Sequence, residues 1–163
     1  MIETVENWRW LLYALLAAAA FSDLRSLKIP NALPVLIALS AAAVLFIGKA
    51  APSDYAAAAA SGLIGLGVGY ALYAVGLMGA GDGKLFAAAS TWFTASALLV
   101  AGLFVSLAGV VLALVMLGAR LIRGTSAAER IGATVKSALK TPVPYGVAIA
   151  LGFVATAQQS VAG

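Results

Sequence analysis

Histidine and cysteine are absent from the 163 residues, and only 10% of the chain is charged. Without cysteine there is no disulfide framework, no thiolate nucleophile and no Cys/His metal site. Without histidine, a Ser-His-Asp triad and an HExxH zinc centre are excluded. Acids are scarce: Glu3, Glu6, Asp23, Asp54, Asp82 and Glu129 are all there are. Any hydrolytic or acid–base chemistry must draw on these, on lysines or on hydroxyls.

What is present is apolar. Hydrophobic residues make up 63% of the sequence, whereas a soluble domain carries about 25% charged residues. Apolar runs of about 20 residues recur along the length, the pattern of an all-α polytopic membrane protein. No hydrophilic tract is long enough for a separate soluble domain, so residues 1–163 are expected to form a single integral-membrane domain. The net charge of +4 lies mostly in segments flanking the apolar runs. That placement points to membrane lipids as partners and not to nucleic acid.

The runs can be laid out in order. The first, Trp10 to Phe21, ends at Ser22-Asp23, with Trp8 and Trp10 suited to an interface. The second follows Pro30-Asn31, where Asn31 is expected to cap a helix and Pro34 fits its first turn, and it reaches about Ile47. Pro52-Ser53-Asp54 supplies the turn and cap before a third, Tyr55 to Met78. The last runs from about Val143 to Thr156. From Leu85 to Ala119 there is no charge and no proline. One helix over that stretch would be roughly 50 Å long against a hydrocarbon core of about 30 Å. Two spans with a tight turn near Thr91–Ser96 are therefore expected, the first of them short. The total is six.

Charge placement gives the orientation. With both termini outside, the inner loops are 22–31, 77–84 and 120–141, and they hold Arg25, Lys28, Lys84, Arg120, Arg123, Arg130, Lys136 and Lys140. Only Arg9 and Lys49 fall outside, which favours six spans, N-out and C-out. A cleavable signal peptide is disfavoured because MIETVEN is acidic where a basic start is needed. Gly65 and Gly69 have the GxxxG spacing of closely packed helices. Residues 120–140 place Ile131, Val135 and Leu139 among basic residues, as in an amphipathic helix on an anionic leaflet, with Glu129 in local ion pairs.

On this map Glu3, Glu6 and Asp54 are outer tail or capping residues. Asp23 and Asp82 both fall at the inner ends of spans, at matching depth. Two carboxylates at one site share one proton, because like charges close together do not both ionise easily. The ionised member takes a proton from an attacking water, while the protonated one hydrogen-bonds the carbonyl under attack. The pair titrates as a unit, and the scheme uses no cofactor and no metal. Gly79, Gly81 and Gly83 are expected to open backbone conformations closed to other residues and to admit a substrate strand. A P-loop fails because Met78 stands where its first glycine belongs, and GxGxxG fails at Lys84.

Three segments together resemble one family. Gly79-Ala80-Gly81-Asp82 resembles the GxGD signature of intramembrane aspartic proteases. FSDLRSLKIPN, Phe21 to Asn31, is similar to the first catalytic segment of the prepilin peptidases, or type IV leader peptidases. PVPYGVAIALG, Pro142 to Gly152, is similar to their closing segment. The resemblance implies that Asp23 and Asp82 are the catalytic dyad, facing the cytoplasm at the bacterial inner membrane. It implies shaping of the site by Arg25, Lys28, Pro30, Asn31, Lys84, Pro144, Tyr145 and Gly146. The implied substrate is a prepilin, cut after a glycine between its short basic leader and its hydrophobic helix, with pilus assembly machinery as a further partner. Larger members carry a cysteine-bearing cytoplasmic domain and also methylate the new N-terminus. This chain resembles the short form of tight-adherence (Flp-type) pilus systems, and it has Gly83 where the family often has an apolar residue. The rival readings are a non-catalytic assembly subunit, a small proton-coupled transporter, and a serine–lysine protease using Ser22 or Ser26 with Lys28.

Overall fold

Helix boundaries follow from where the chain places its breakers. The computed structural model describes residues 8–123 and 144–162. Among the described residues the regular structure is helical and falls into six elements: α1 (Arg9–Ser26), α2 (Ala32–Ile47), α3 (Pro52–Ala74), α4 (Ala80–Ser90), α5 (Ala97–Arg123) and α6 (Tyr145–Ala162). α1 stops at Leu27, which takes the left-handed conformation and returns its N–H to the Asp23 carbonyl at 2.8 Å. Pro34 lies in the first turn of α2, where its missing N–H has no partner to lose. Pro52 opens α3, and the Asp54 carboxylate reaches back to the Ala51 N–H at 3.2 Å, the expected cap. α3 ends at Ala74, four residues before Met78, because the chain turns through Gly76 at φ +76°.

The charge-free stretch divides as expected. α4 ends at Ser90, and the chain turns through residues 91–96 before α5 begins. Polar groups in this turn are satisfied locally: Ser90 Oγ donates to the Phe86 carbonyl at 2.8 Å and Thr91 Oγ1 to Ala88 at 2.7 Å. Trp92 Nε1 donates to the Ile37 carbonyl of α2 at 3.0 Å, and Phe86 and Phe93 pack on Phe153 of α6 with centroids 5.2 and 5.3 Å apart. The turn is thus fixed by aromatic burial against two neighbouring helices.

Short α4 occupies the middle, packed against α3 most extensively and against α2 and α6 as well, while α5 lies along α6 and α1 joins α6 to α2. The core gathers Leu12 and Leu16 of α1, Ile37 and Val44 of α2, Leu85 and Phe86 of α4, and Ile149 and Phe153 of α6. The outer faces are apolar too: Leu99 is 83% exposed and Phe46 77%. A surface of that kind suits hydrocarbon better than water. α3 and residues Ala97–Ala119 of α5 are long and apolar enough to cross a membrane. The amphipathic inner helix expected over 120–140 differs at its start, since α5 continues through Arg123; its remainder, with Glu129, and the tail bearing Glu3 and Glu6 lie outside the described residues.

α3 and α4 approach backbone to backbone. A Cβ at Gly69 would sit 2.8 Å from the Cα and carbonyl oxygen of Gly83, and one at Gly83 would sit 3.2 Å from the Gly69 carbonyl oxygen. Side chains there would force the helices apart, at a cost of about 1–3 kcal/mol. Gly69→Val should therefore lower the thermal midpoint of the detergent-solubilised protein, whereas Gly67→Ala, which meets nothing within 4 Å, should leave it nearly unchanged.

Candidate active site

Asp23 stands in the last turn of α1 and is only 5% exposed. A buried carboxylate needs a partner, and its Oδ2 accepts the Gly146 N–H at 2.7 Å. Gly146 is the second residue of α6, so that N–H is one of the donors a helix start leaves unsatisfied. A Cβ at this position would fall 2.9 Å from Asp23 Oδ2, 3.0 Å from Asp23 Cβ and 3.1 Å from Ile29 Cδ1. Little room is left there for a side chain.

Asp82 is the third residue of α4, where a negative charge is favoured by the helix dipole. Its Oδ2 accepts the N–H of Gly79 at 3.2 Å. Asp82 belongs to residues 77–84, ahead of the apolar run that begins at Leu85 and outside both long apolar helices. Burial, reinforced by the nearby Asp23 charge, pushes its carboxyl up to about 6, against the lowering effect of the Gly79 N–H. The two acids, far apart in sequence, are close enough to influence each other's ionisation.

The loop between α1 and α2 closes the site. Ser22 and Ser26 donate from Oγ to the Lys28 carbonyl at 3.0 and 3.3 Å, and Ser26 also to the Ser22 carbonyl at 2.8 Å. Both hydroxyls are engaged with backbone carbonyls, an arrangement that lends no support to a serine–lysine nucleophile. Lys84 Nζ donates to Asn31 Oδ1 at 3.1 Å, tying α4 to the start of α2. Asn31 stands at the N-cap position, but its side chain makes no capping bond and serves Lys84 instead, a departure from the expected cap.

Other expected site residues are distributed around this centre. Arg25, Lys28 and Pro30 are exposed, Pro144 is buried and Tyr145 is half-buried beside Gly109 of α5. The glycines differ from expectation in their reason. Gly76 alone of the described glycines has positive φ, so Gly79, Gly81 and Gly83 adopt no conformation closed to other residues. Gly83 packs closely on α3 and a Cβ on Gly79 would crowd Asp82 Oδ2 at 2.8 Å, whereas one on Gly81 would meet Ile29 at ordinary contact distance. Ile29, which the sequence offered only within the Ile-Pro-Asn run and not as a site residue, lies beside both Gly146 and Gly81. The signal was one half-buried apolar residue between exposed Lys28 and Pro30.

A family model described as the type IV leader peptidase family matches residues 10–114, which include Asp23 and Asp82 and end before Gly146. No curated protein and no solved structure matches the chain.

If Asp23 raises Asp82 through its charge, removing that charge lowers Asp82. Infrared titration of the protonated carboxyl band assigned by Asp82→Asn should show it lost as pH rises through about 6. In Asp23→Asn the same band should disappear at lower pH. An unchanged midpoint would show that the two groups do not interact.

Proposed function

We propose, proceeding from the fact that this chain belongs to the type IV leader peptidase family, that it is a membrane-embedded aspartic endopeptidase whose catalytic pair is Asp23 and Asp82. One observation supports the reading: Ile29 lies beside both Gly146, which holds the Asp23 carboxylate, and Gly81, which precedes Asp82. A pair sharing one proton suffices for peptide hydrolysis. The ionised carboxylate removes a proton from water as the oxygen attacks the scissile carbonyl carbon, and the protonated carboxyl hydrogen-bonds the carbonyl oxygen. The carboxyl's proton passes to that oxygen to give a tetrahedral diol; as the C–N bond then breaks, the nitrogen receives the proton taken from water, a diol hydroxyl returns its proton to the pair, and one shared proton again remains.

In this reading the substrate is a prepilin. Its short basic leader lies on the cytoplasmic side, its apolar helix enters the bilayer, and the scissile bond after a glycine meets the pair at the inner boundary. The chain acts as a single membrane domain with six spans and both termini outside. Arg25, Lys28 and Lys84 place positive charge at the cytoplasmic mouth, as the distribution of basic residues favours. Lys84 and Asn31 brace α4 against α2, while Pro144 and Tyr145 fix the entry of α6. The lack of cysteine in these residues favours a processing role of the tight-adherence (Flp-type) kind.

The test is cleavage of a co-expressed prepilin. Asp23→Asn and Asp82→Asn should each lower processing by about 10²–10⁴-fold, the range of acid–base contributions, with membrane insertion retained. Full processing by either variant would overturn the assignment and favour a non-catalytic assembly role. The one-proton scheme also predicts that cleavage by the unaltered protein falls as pH rises above about 6, where Asp82 loses its proton.

A further inference from the structure

We infer that Ile29 is the spacer that sets the separation of the two carboxylates, a positioning residue for the pair. The inference rests on the proteolytic reading for its kinetic consequences, but its geometry stands apart from it. Ile29 lies between two glycines, each belonging to one acid. Its Cδ1 is 3.1 Å from where a Cβ on Gly146 would stand, and Gly146 donates its N–H to Asp23. Its Cβ is 3.6 Å, and its backbone oxygen and nitrogen 3.9 and 4.0 Å, from the corresponding point on Gly81, the residue before Asp82. One half-buried side chain thus fills the space where side chains on Gly146 and Gly81 would stand, beside the residue that holds Asp23 and the residue that precedes Asp82.

A spacer must itself be fixed, and the loop supplies this. Leu27 turns the chain through the left-handed region at φ 51°. The Ser22 and Ser26 hydroxyls then hold the Lys28 carbonyl, the peptide that leads directly into Ile29. On the other side Pro30 restricts Ile29 to extended conformations, and Asn31 is held by Lys84 of α4. The residue is anchored before and after, so its side chain transmits position between α1, α4 and α6. Its β-branch restricts χ1 and makes it a stiff spacer.

The charged and titratable groups on the elements around Ile29 are Asp23, Arg25 and Lys28 on the α1 side, with Arg9 and Tyr13 toward the other end of α1, Asp82 and Lys84 on α4, and Tyr145 on α6. Truncation to alanine keeps the Cβ contact at Gly81 and removes the reach to Gly146. The space then admits water beside the pair, which better solvates the ionised carboxylate.

The experiment compares Ile29→Ala and Ile29→Leu with the unaltered protein in two readouts. Cleavage of a prepilin segment in detergent gives kcat and KM across pH. Infrared titration follows the Asp82 carboxyl without cleavage. Ile29→Ala should lose about 10²-fold in kcat, the effect of misplacement on the order of 1 Å, with KM nearly unchanged and the Asp82 titration moved to lower pH. Ile29→Leu, which restores the reach, should recover most of kcat and the original titration. Unaltered kcat and titration in Ile29→Ala would overturn the spacer, as would equal loss in both variants together with a lowered thermal midpoint. A shifted titration in a protein that cleaves no prepilin would uphold the spacer while overturning the proteolytic reading.

Discussion

The hydrogen bond from the Gly146 N–H to Asp23 Oδ2 is the contact on which the site's arrangement depends. It joins the end of α1 to the start of α6 across 123 positions of sequence. It also settles what would otherwise be two costs, a buried carboxylate without a donor and a helix-start N–H without an acceptor. A Cβ at residue 146 would crowd Asp23 and Ile29, so the site leaves little room there for a side chain. At the far end of the same helix pair, Arg9 donates to the Ala157 carbonyl at 3.2 Å, so α1 and α6 are linked near both ends.

From that joint the second acid follows. α6 packs through Phe153 on Phe86 of α4 and on Phe93 of the turn that follows, and α4 starts with the segment that carries Asp82. The shortness of α4 is part of the design. Eleven residues rise about 16 Å, and the turn that follows is stabilised by Trp92 and by local hydroxyl bonds rather than by solvent. A helix pinned at one end by aromatic packing and braced at the other by Lys84 and Asn31 presents its first turn in a defined place. Preorganisation of this kind is what a two-carboxylate mechanism needs from its scaffold.

The sequence carried the large features for physical reasons. Long apolar runs broken by Pro30-Asn31, Pro52 and the Gly76–Gly79 region leave little freedom in where helices form, and 35 uncharged residues exceed what one span requires. Asp23 and Asp82 stood out because charge is so rare in this chain. Tertiary contacts were not legible. Nothing local distinguishes Gly83, which packs on Gly69, from Gly79, which crowds Asp82. Asn31 reads as a cap by type, yet its amide oxygen is taken by a lysine 53 positions away. Ile29 looks like an ordinary loop residue until α4 and α6 are brought against it.

The central claim is that Asp23 and Asp82 face one another, and a chain without cysteine allows this to be measured cleanly. Asp23→Cys/Asp82→Cys in native membranes is treated with a short bifunctional thiol reagent, beside an Asp23→Cys/Asp54→Cys control on the opposite end of α3. The account predicts rapid intramolecular cross-linking of the first pair and none of the control. Cross-linking of positions 23 and 82 no faster than that of 23 and 54 would contradict it.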